Sequence, residues 1–374
     1  MRKLTALALL CNTVLCLAIL LRGRSDPALA GGSPAHENGD TNGDGRRDVS
    51  DAISLLNWLF GDGPPPVAYA DVPGLTPEQA EILGYLSLVD LDDGQGGHLK
   101  TIRITGANLQ IVNGLGATNG NPLDSASTND VTVNGLGNLI VGYQERCLSL
   151  AGGEDLRTGS HNVVVGTCHS YTSAGGLVVG IANTIAAPFA CVSGGFGNTA
   201  SGLYSSVTGG GLNTASARGC SVTGGGRNTA AIAEDDEEGY STVTGGFSNS
   251  ALGSYCAVTG GSSNEAEEYY STVTGGFYNI AGEYGSVVIG GSNNTAGGDL
   301  SVVSGGVGNS ASGFGASVSG GGSSAEDLSG GNTASGRLSS VSGGSFNNAG
   351  GDGSSISGGA GHETQDPYEW QAGP

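Results

Sequence analysis

The sequence predicts a mainly β protein: a Gly-rich parallel β-solenoid of about 13 to 14 coils of 14 to 15 residues, with a small α-helical Ca²⁺-binding module at its N-terminus. Three observations predict it. A Val or Ile stands two residues before a glycine at nearly constant intervals, 72 of the 374 residues are Gly, and residues 40–51 form a compact acidic loop. An ordinary chain is about 7% Gly, so the excess alone would suggest disorder. The regular spacing argues for a stacked repeat instead.

The N-terminal thirty residues carry Arg2 and Lys3, an apolar stretch from Leu4 to Leu21, and then Ala28-Leu29-Ala30. That is the three-part layout of a secretory signal peptide. Residues 1–30 are therefore expected to be removed on export, leaving an extracellular or cell-surface protein without a membrane span. Their removal takes four basic residues (Arg2, Lys3, Arg22, Arg24) and one acid (Asp26) from totals of 13 and 34, for a net charge of −24. Such a surface repels phosphate backbones and anionic lipid, which argues against nucleic-acid binding and favours divalent cations or basic partners.

Within residues 31–62, Asp40, Asn42, Asp44, Asp48 and Asp51 stand at the first, third, fifth, ninth and twelfth positions of the acidic loop. Gly45 occupies the sixth, where a sharp turn is needed, and Arg46 offers its carbonyl at the seventh. This is the oxygen spacing of an EF-hand-type Ca²⁺ loop. Ala52–Phe60 follows as an amphipathic helix ended by Gly61 and by Pro64, Pro65 and Pro66. The loop and helix resemble one repeat of a dockerin, and that resemblance implies bound Ca²⁺ and a cohesin-like partner.

After a Pro-rich linker, residues 63–75, Thr76-Pro77-Glu78-Gln79 is a helix start with a capping Thr and an early Pro. Ile82, Leu86 and Val89 lie at helical spacing, so a short helix is expected over 76–90. Its apolar stripe fits a trimeric neck or packing on the first coil. Over residues 98–137, the alternation in Thr101-Ile102-Arg103-Ile104-Thr105 and Leu109-Gln110-Ile111-Val112 predicts strands that cap the rod.

The solenoid itself is expected over residues 138–361. Its markers are Val164, Val178, Val192, Val207, Val222, Val243, Val258, Val273, Val288, Val303, Val318, Val341 and Ile356, with Ile140 as a fourteenth. Two steps are long because of acidic insertions near Glu234 and Glu326. A typical coil, Tyr270-Ser271-Thr272-Val273-Thr274-Gly275-Gly276-Phe277-Tyr278-Asn279-Ile280-Ala281, predicts a β-branched strand of four or five residues, a Gly-Gly corner with positive φ, and a short second strand. Six residues after most markers stands an Asn, and two further on an Ala. In register, the asparagines can form an amide ladder along the stack.

The 14-residue coils, Asn162-Val163-Val164-Val165-Gly166 and Gly176-Leu177-Val178-Val179-Gly180, resemble the β-roll coils of trimeric autotransporter adhesin heads of the YadA-like kind. That resemblance implies a homotrimer. The residues add a physical argument, since one large apolar side chain per coil makes a thin core that association would relieve. Residues 362–374, with Tyr368 and Trp370, are expected to fold over the last coil as a cap.

Five cysteines remain in the mature chain, an odd number that does not suggest a disulfide framework, so buried small-residue roles are expected. Cys220 and Cys256 share a column with Ser205, Ser241, Ser271 and Ser301. The five histidines are scattered, with only His161 and His169 on adjacent coils, and no nucleophile elbow, phosphate loop or HExxH motif is present. The expected function is therefore non-enzymatic: a structural or adhesive rod for extracellular attachment, with a polysaccharide as a further partner. Two other classes remain, a polysaccharide-active β-helix enzyme and an ice-binding solenoid, the latter because Thr242-Val243-Thr244 and Thr272-Val273-Thr274 place Thr-x-Thr on one face.

Overall fold

In the computed structural model, residues 49–60, 75–147, 155–232, 239–322 and 330–372 are described, and the chain divides into two units, Met1–Leu109 and Gln110–Pro374. In the first unit, α1 (Val49–Phe60) covers the expected amphipathic stretch. Helix α2 (Pro77–Gly84) opens on the expected cap: Thr76 Oγ1 accepts the Gln79 backbone N–H (3.2 Å), and Gln79 Oε1 accepts that of Thr76 (2.9 Å).

The helix expected over 76–90 is shorter. It stops at Gly84, and Leu86 and Val89 belong to strand β1 (Leu86–Asp92), antiparallel to β2 (His98–Ile104) with Leu86 opposite Ile104. Helical spacing and strand alternation overlap in this segment, and seven residue pairs across the ladder decide for the strand. Leu86, Leu88, Ile102 and Ile104 share one exposed face of the hairpin, next to an Asp90–Lys100 ion pair (2.9 Å). The capping strands expected over 98–137 reduce to β2. Residues 110–138 run through turns, with Gly114, Gly116, Gly120, Gly135 and Gly137 at positive φ.

The second unit is the expected parallel β-solenoid of about 13 turns. Its coils build a 15-stranded sheet, from β3 (Leu139–Val141), β4 (Val163–Thr167) and β6 (Leu177–Ile181) to β30 (Trp370–Gln371), and a 13-stranded sheet from β5 (Ser170–Tyr171) to β29 (Glu363–Thr364). Every marker pairs with the next, so Val222 faces Val243 across the first insertion and Val318 faces Val341 across the second. Five-residue strands occur only in the 14-residue coils. In the 15-residue coils the strand shrinks to two residues, and a single-residue bridge, such as Phe277 to Ser292, makes a third wall.

The core closes within one chain. Val192 to Ile356, the alanine column from Ala200 to Ala349, and the Ser/Cys column are all buried. The asparagines complete it. Asn279 Nδ2 donates to Gly275 O of its own coil (2.9 Å) and Gly291 O of the next (3.0 Å), while its backbone N–H donates to Asn264 Oδ1 (3.0 Å). Its own Oδ1 accepts from Asn294 N (3.1 Å). The expected ladder is thus real, and it runs through backbone groups as well as amides. Asn332 and Ala334 join these columns after the second insertion.

The glycine pair is not a uniform corner. Gly276 has φ +92°, and a Cβ there would lie 2.2 Å from Gly291 O, whereas a Cβ on Gly275 would meet nothing within 4 Å. The expected C-terminal cap is also different: residues 362–371 form a further coil, with His362 in the Asn column, Thr364 in the Ala column and Gln371 in the Val column.

These details predict unequal effects along one coil. Gly276→Ala should destabilise by about 2 kcal/mol or more through αL strain and the carbonyl clash. Asn279→Ala should cost about 3 kcal/mol by leaving Gly275 O and the Asn294 backbone N–H without their partner. Gly275→Ala should stay within about 0.5 kcal/mol of the parent. Chemical denaturation of the three variants checks the order, and equal effects at the two glycines would contradict it.

Candidate functional site

Of the Ca²⁺ donors expected from sequence, Asp40, Asn42, Asp44, Arg46 and Asp48 lie outside the described residues. Asp51 falls in the first turn of α1. Among the described residues no group of three or more His, Cys, Asp or Glu side chains is arranged to hold a metal ion.

Because each marker points inward, the residues on either side of it point outward. Ser206, Ser221, Thr242 and Thr272 form one outward column, and Thr208, Thr223, Thr244, Thr259 and Thr274 form the next. Hydroxyls in the second column are exposed and make no hydrogen bond to protein among the described residues. Spacings of about 4.8 Å between coils and about 7 Å along a strand follow from sheet geometry. Ala257, Val287, Ile289 and Val302 break the lattice.

A second outward feature is an aromatic corner three residues before the markers. Tyr240, Tyr255 and Tyr270 stack with ring centroids 5.6 and 5.2 Å apart, and Phe189 stacks on Tyr204 at 5.6 Å. All five have φ near +60°. Gly219 and Gly285 fill the same corner in other coils, where a Cβ would press on Tyr240 and Leu300. Face-to-face stacking leaves mainly ring edges for a ligand.

The third feature is a shallow groove of about 330 Å³, lined by Ser263, Glu265, Tyr278, Ile280, Asn293 and Thr295. These residues flank Asn264, Asn279 and Asn294, which point inward, so they face outward in pairs over three coils. Tyr278 is 53% exposed and meets Phe277 edge to face at 4.2 Å. Asn293 Nδ2 donates to Ser292 Oγ (2.7 Å), which fixes its amide. Nearby, partial burial pushes the Glu267 carboxyl above the usual range, with Glu265, Glu268 and Glu283 adding to the rise. Nothing in the periodic core signalled this groove, because its lining comes from outward residues of three coils that only stacking brings together.

The two histidines on adjacent coils are occupied by the fold. His161 Nε2 accepts the Asn113 backbone N–H (3.1 Å), and its Nδ1 contacts Thr118 O (2.9 Å). His169 begins the asparagine column: Nδ1 accepts the Asn183 backbone N–H (3.3 Å) and Nε2 donates to Val165 O (3.0 Å). Burial lowers its pKa.

Cysteine pairing departs from expectation. Cys147 and Cys168 form a disulfide across 21 residues, while Cys191, Cys220 and Cys256 are free. Cys220 and Cys256 do occupy the serine column, where Cys220 Sγ lies 2.9 Å from Ser241 Oγ and Cys256 Sγ 3.0 Å from Ser271 Oγ. No protein-family model matches this chain, and no curated protein does.

His169 yields a pH prediction. With its pKa depressed in the folded chain, the unfolded state takes up a proton first, near the ordinary value of about 6.5. Its contribution is therefore full above that pH and is lost as pH falls toward the folded pKa. Hydrogen-exchange protection factors over residues 163–185, corrected for the intrinsic pH dependence of amide exchange, should fall between pH 7.5 and 5. His169→Asn, which restores the ladder donor and acceptor, should remove most of that dependence. An unchanged pH profile in the variant would rule out this histidine as its source.

Proposed function

We propose that the mature chain is an exported, non-enzymatic structural or adhesive rod, which binds Ca²⁺ through Asp40, Asn42, Asp44, Arg46, Asp48 and Asp51 and works as a homo-oligomer, with a trimer favoured. The observation that carries this reading is the division of labour within each coil. Inward residues are consumed in stacking, and outward ones form faces that repeat with the coils. A repeating face suits many weak contacts with an extended partner such as an extracellular polysaccharide.

Export is supported by the N-terminal apolar leader and by the Cys147–Cys168 disulfide, a bond that persists in oxidising compartments. Association is supported by the hairpin rather than by the rod, whose core is closed. A two-stranded hairpin is marginal alone, and Leu86, Leu88, Ile102 and Ile104 lie exposed on one face of it. The breaks at Val287, Ile289 and Val302 weigh against ice as the ligand of the hydroxyl face.

Two measurements test the reading. Light scattering of the mature chain should return a multiple of the protomer mass, and the same sample should be retained on insoluble cell-wall or extracellular polysaccharide. Leu88→Lys with Ile102→Lys should return the protomer and weaken retention about tenfold or more through lost multivalency. A monomeric parent that is not retained would overturn the proposal.

Calcium gives a third test. The four loop carboxylates need a cation to sit together, so binding and local folding are linked. Asp40→Ala with Asp51→Ala should abolish calorimetric Ca²⁺ binding and leave the β signal of the rod unchanged. Parent-like binding by the double variant would remove the dockerin-like assignment.

A further inference from the structure

The groove beside Asn279 differs from the rest of its furrow in the state of its aromatic ring. Tyr240, Tyr255 and Tyr270 cover one another's faces at the opposite corner. One rung to either side of Tyr278 stand Ser263 and Asn293, both small, so no neighbouring ring is stacked on it in the column. Its contact with Phe277, at an interplanar angle of 68°, holds the ring in place while half of it stays exposed.

Polar groups converge around that ring: the Glu265 carboxylate, the oriented Asn293 amide, and the Ser263 and Thr295 hydroxyls. Ile280 lies between Glu265 and Thr295. A ring face together with a carboxylate, an amide and hydroxyls matches a molecule that has an apolar face and a rim of hydroxyls, which is the chemistry of a pyranose. Glu267, Glu268 and Glu283 make the neighbourhood strongly acidic, which excludes uronates and sulfated sugars. Three coils at about 4.8 Å span about 10 Å, room for roughly two sugar units.

We infer that this groove binds a neutral oligosaccharide segment, with a pyranose face on Tyr278 and sugar hydroxyls donating to Glu265 and Asn293. The inference rests on the extracellular reading and names the ligand of one site within it.

The test uses the full mature chain and soluble hexasaccharides of β-1,3-glucan, β-1,4-glucan and β-1,4-mannan, with hexagalacturonate as the anionic comparison, measured by calorimetry. At least one neutral hexasaccharide should bind, and hexagalacturonate should not. Tyr278→Gly should weaken binding tenfold or more. Glycine stands in the same column at Gly197 and Gly308, so this variant suits the corner and should fold. Glu265→Gln should weaken binding several-fold, and Phe346→Gly, in the same column several coils away, should leave it unchanged. No binding by the parent to any neutral hexasaccharide, equal binding by Tyr278→Gly, or equal binding of hexagalacturonate would each overturn the inference. Because these ligands are soluble and short, failure here leaves retention on insoluble polymer as a separate result.

Discussion

The buried asparagine is the interaction on which the rest of this solenoid depends. A corner built from Gly275 and Gly276 leaves glycine carbonyls facing the interior, and an unpaired buried carbonyl is costly. One Asn per coil satisfies the carbonyl of its own coil and that of the next, and accepts the next backbone N–H. The amide therefore acts as cap, rung and register pin together. It also explains why Gly276 must be glycine: a Cβ would occupy the space through which Asn279 Nδ2 and Gly291 O approach the corner.

From that constraint the tolerance of the other columns follows. Serine, cysteine and alanine alternate in one inward slot, because Ser205, Cys220 and Ala316 are similar in size and make only weak polar demands. His169 can begin the asparagine column, because a neutral imidazole presents an acceptor and a donor at comparable positions. Two insertions, of which Glu234 and Glu326 are parts, enter between ladder positions without shifting the register on either side. Outward residues carry almost none of this burden, so hydroxyl, aromatic and acidic patches vary from coil to coil on an unchanged scaffold.

Periodicity made the fold legible from sequence, since every coil repeats the same Val, Gly, Asn and Ala offsets. What it could not resolve were features that break or ignore the period. Gly275 and Gly276 look equivalent in sequence, yet only the second has positive φ and a blocked Cβ. Ile82, Leu86 and Val89 fit helical spacing, but Gly84 ends the helix and Leu86 and Val89 pair with Ile104 and Thr101 on the second strand of a hairpin. An odd cysteine count concealed the Cys147–Cys168 bond, because two of the remaining three are serine surrogates in the core. The groove at Tyr278 depends on what Ser263 and Asn293 are, one coil before and one after, and becomes visible only when the coils are stacked.

The coil of residues 362–371 departs from the columns while keeping the pairing. Residues 362–371 keep the pairing, with Asn348 opposite Glu363 and Ser355 opposite Trp370, while their inward slots turn polar. Thr364 Oγ1 bonds Ser354 Oγ (2.9 Å), and Gln371 Nε2 donates to Glu363 O (2.6 Å) and Glu369 Oε1 (2.9 Å). A further coil laid on this one would have to bury Gln371 against its own marker. Open parallel edges recruit additional strands, and solenoids need end repeats with a polar outer face. Here the pairing pattern continues through β30, and the inward side chains turn polar. Residues that resemble a separate tail in sequence are thus one more coil, with His362, Thr364 and Gln371 in place of the Asn, Ala and Val of the columns.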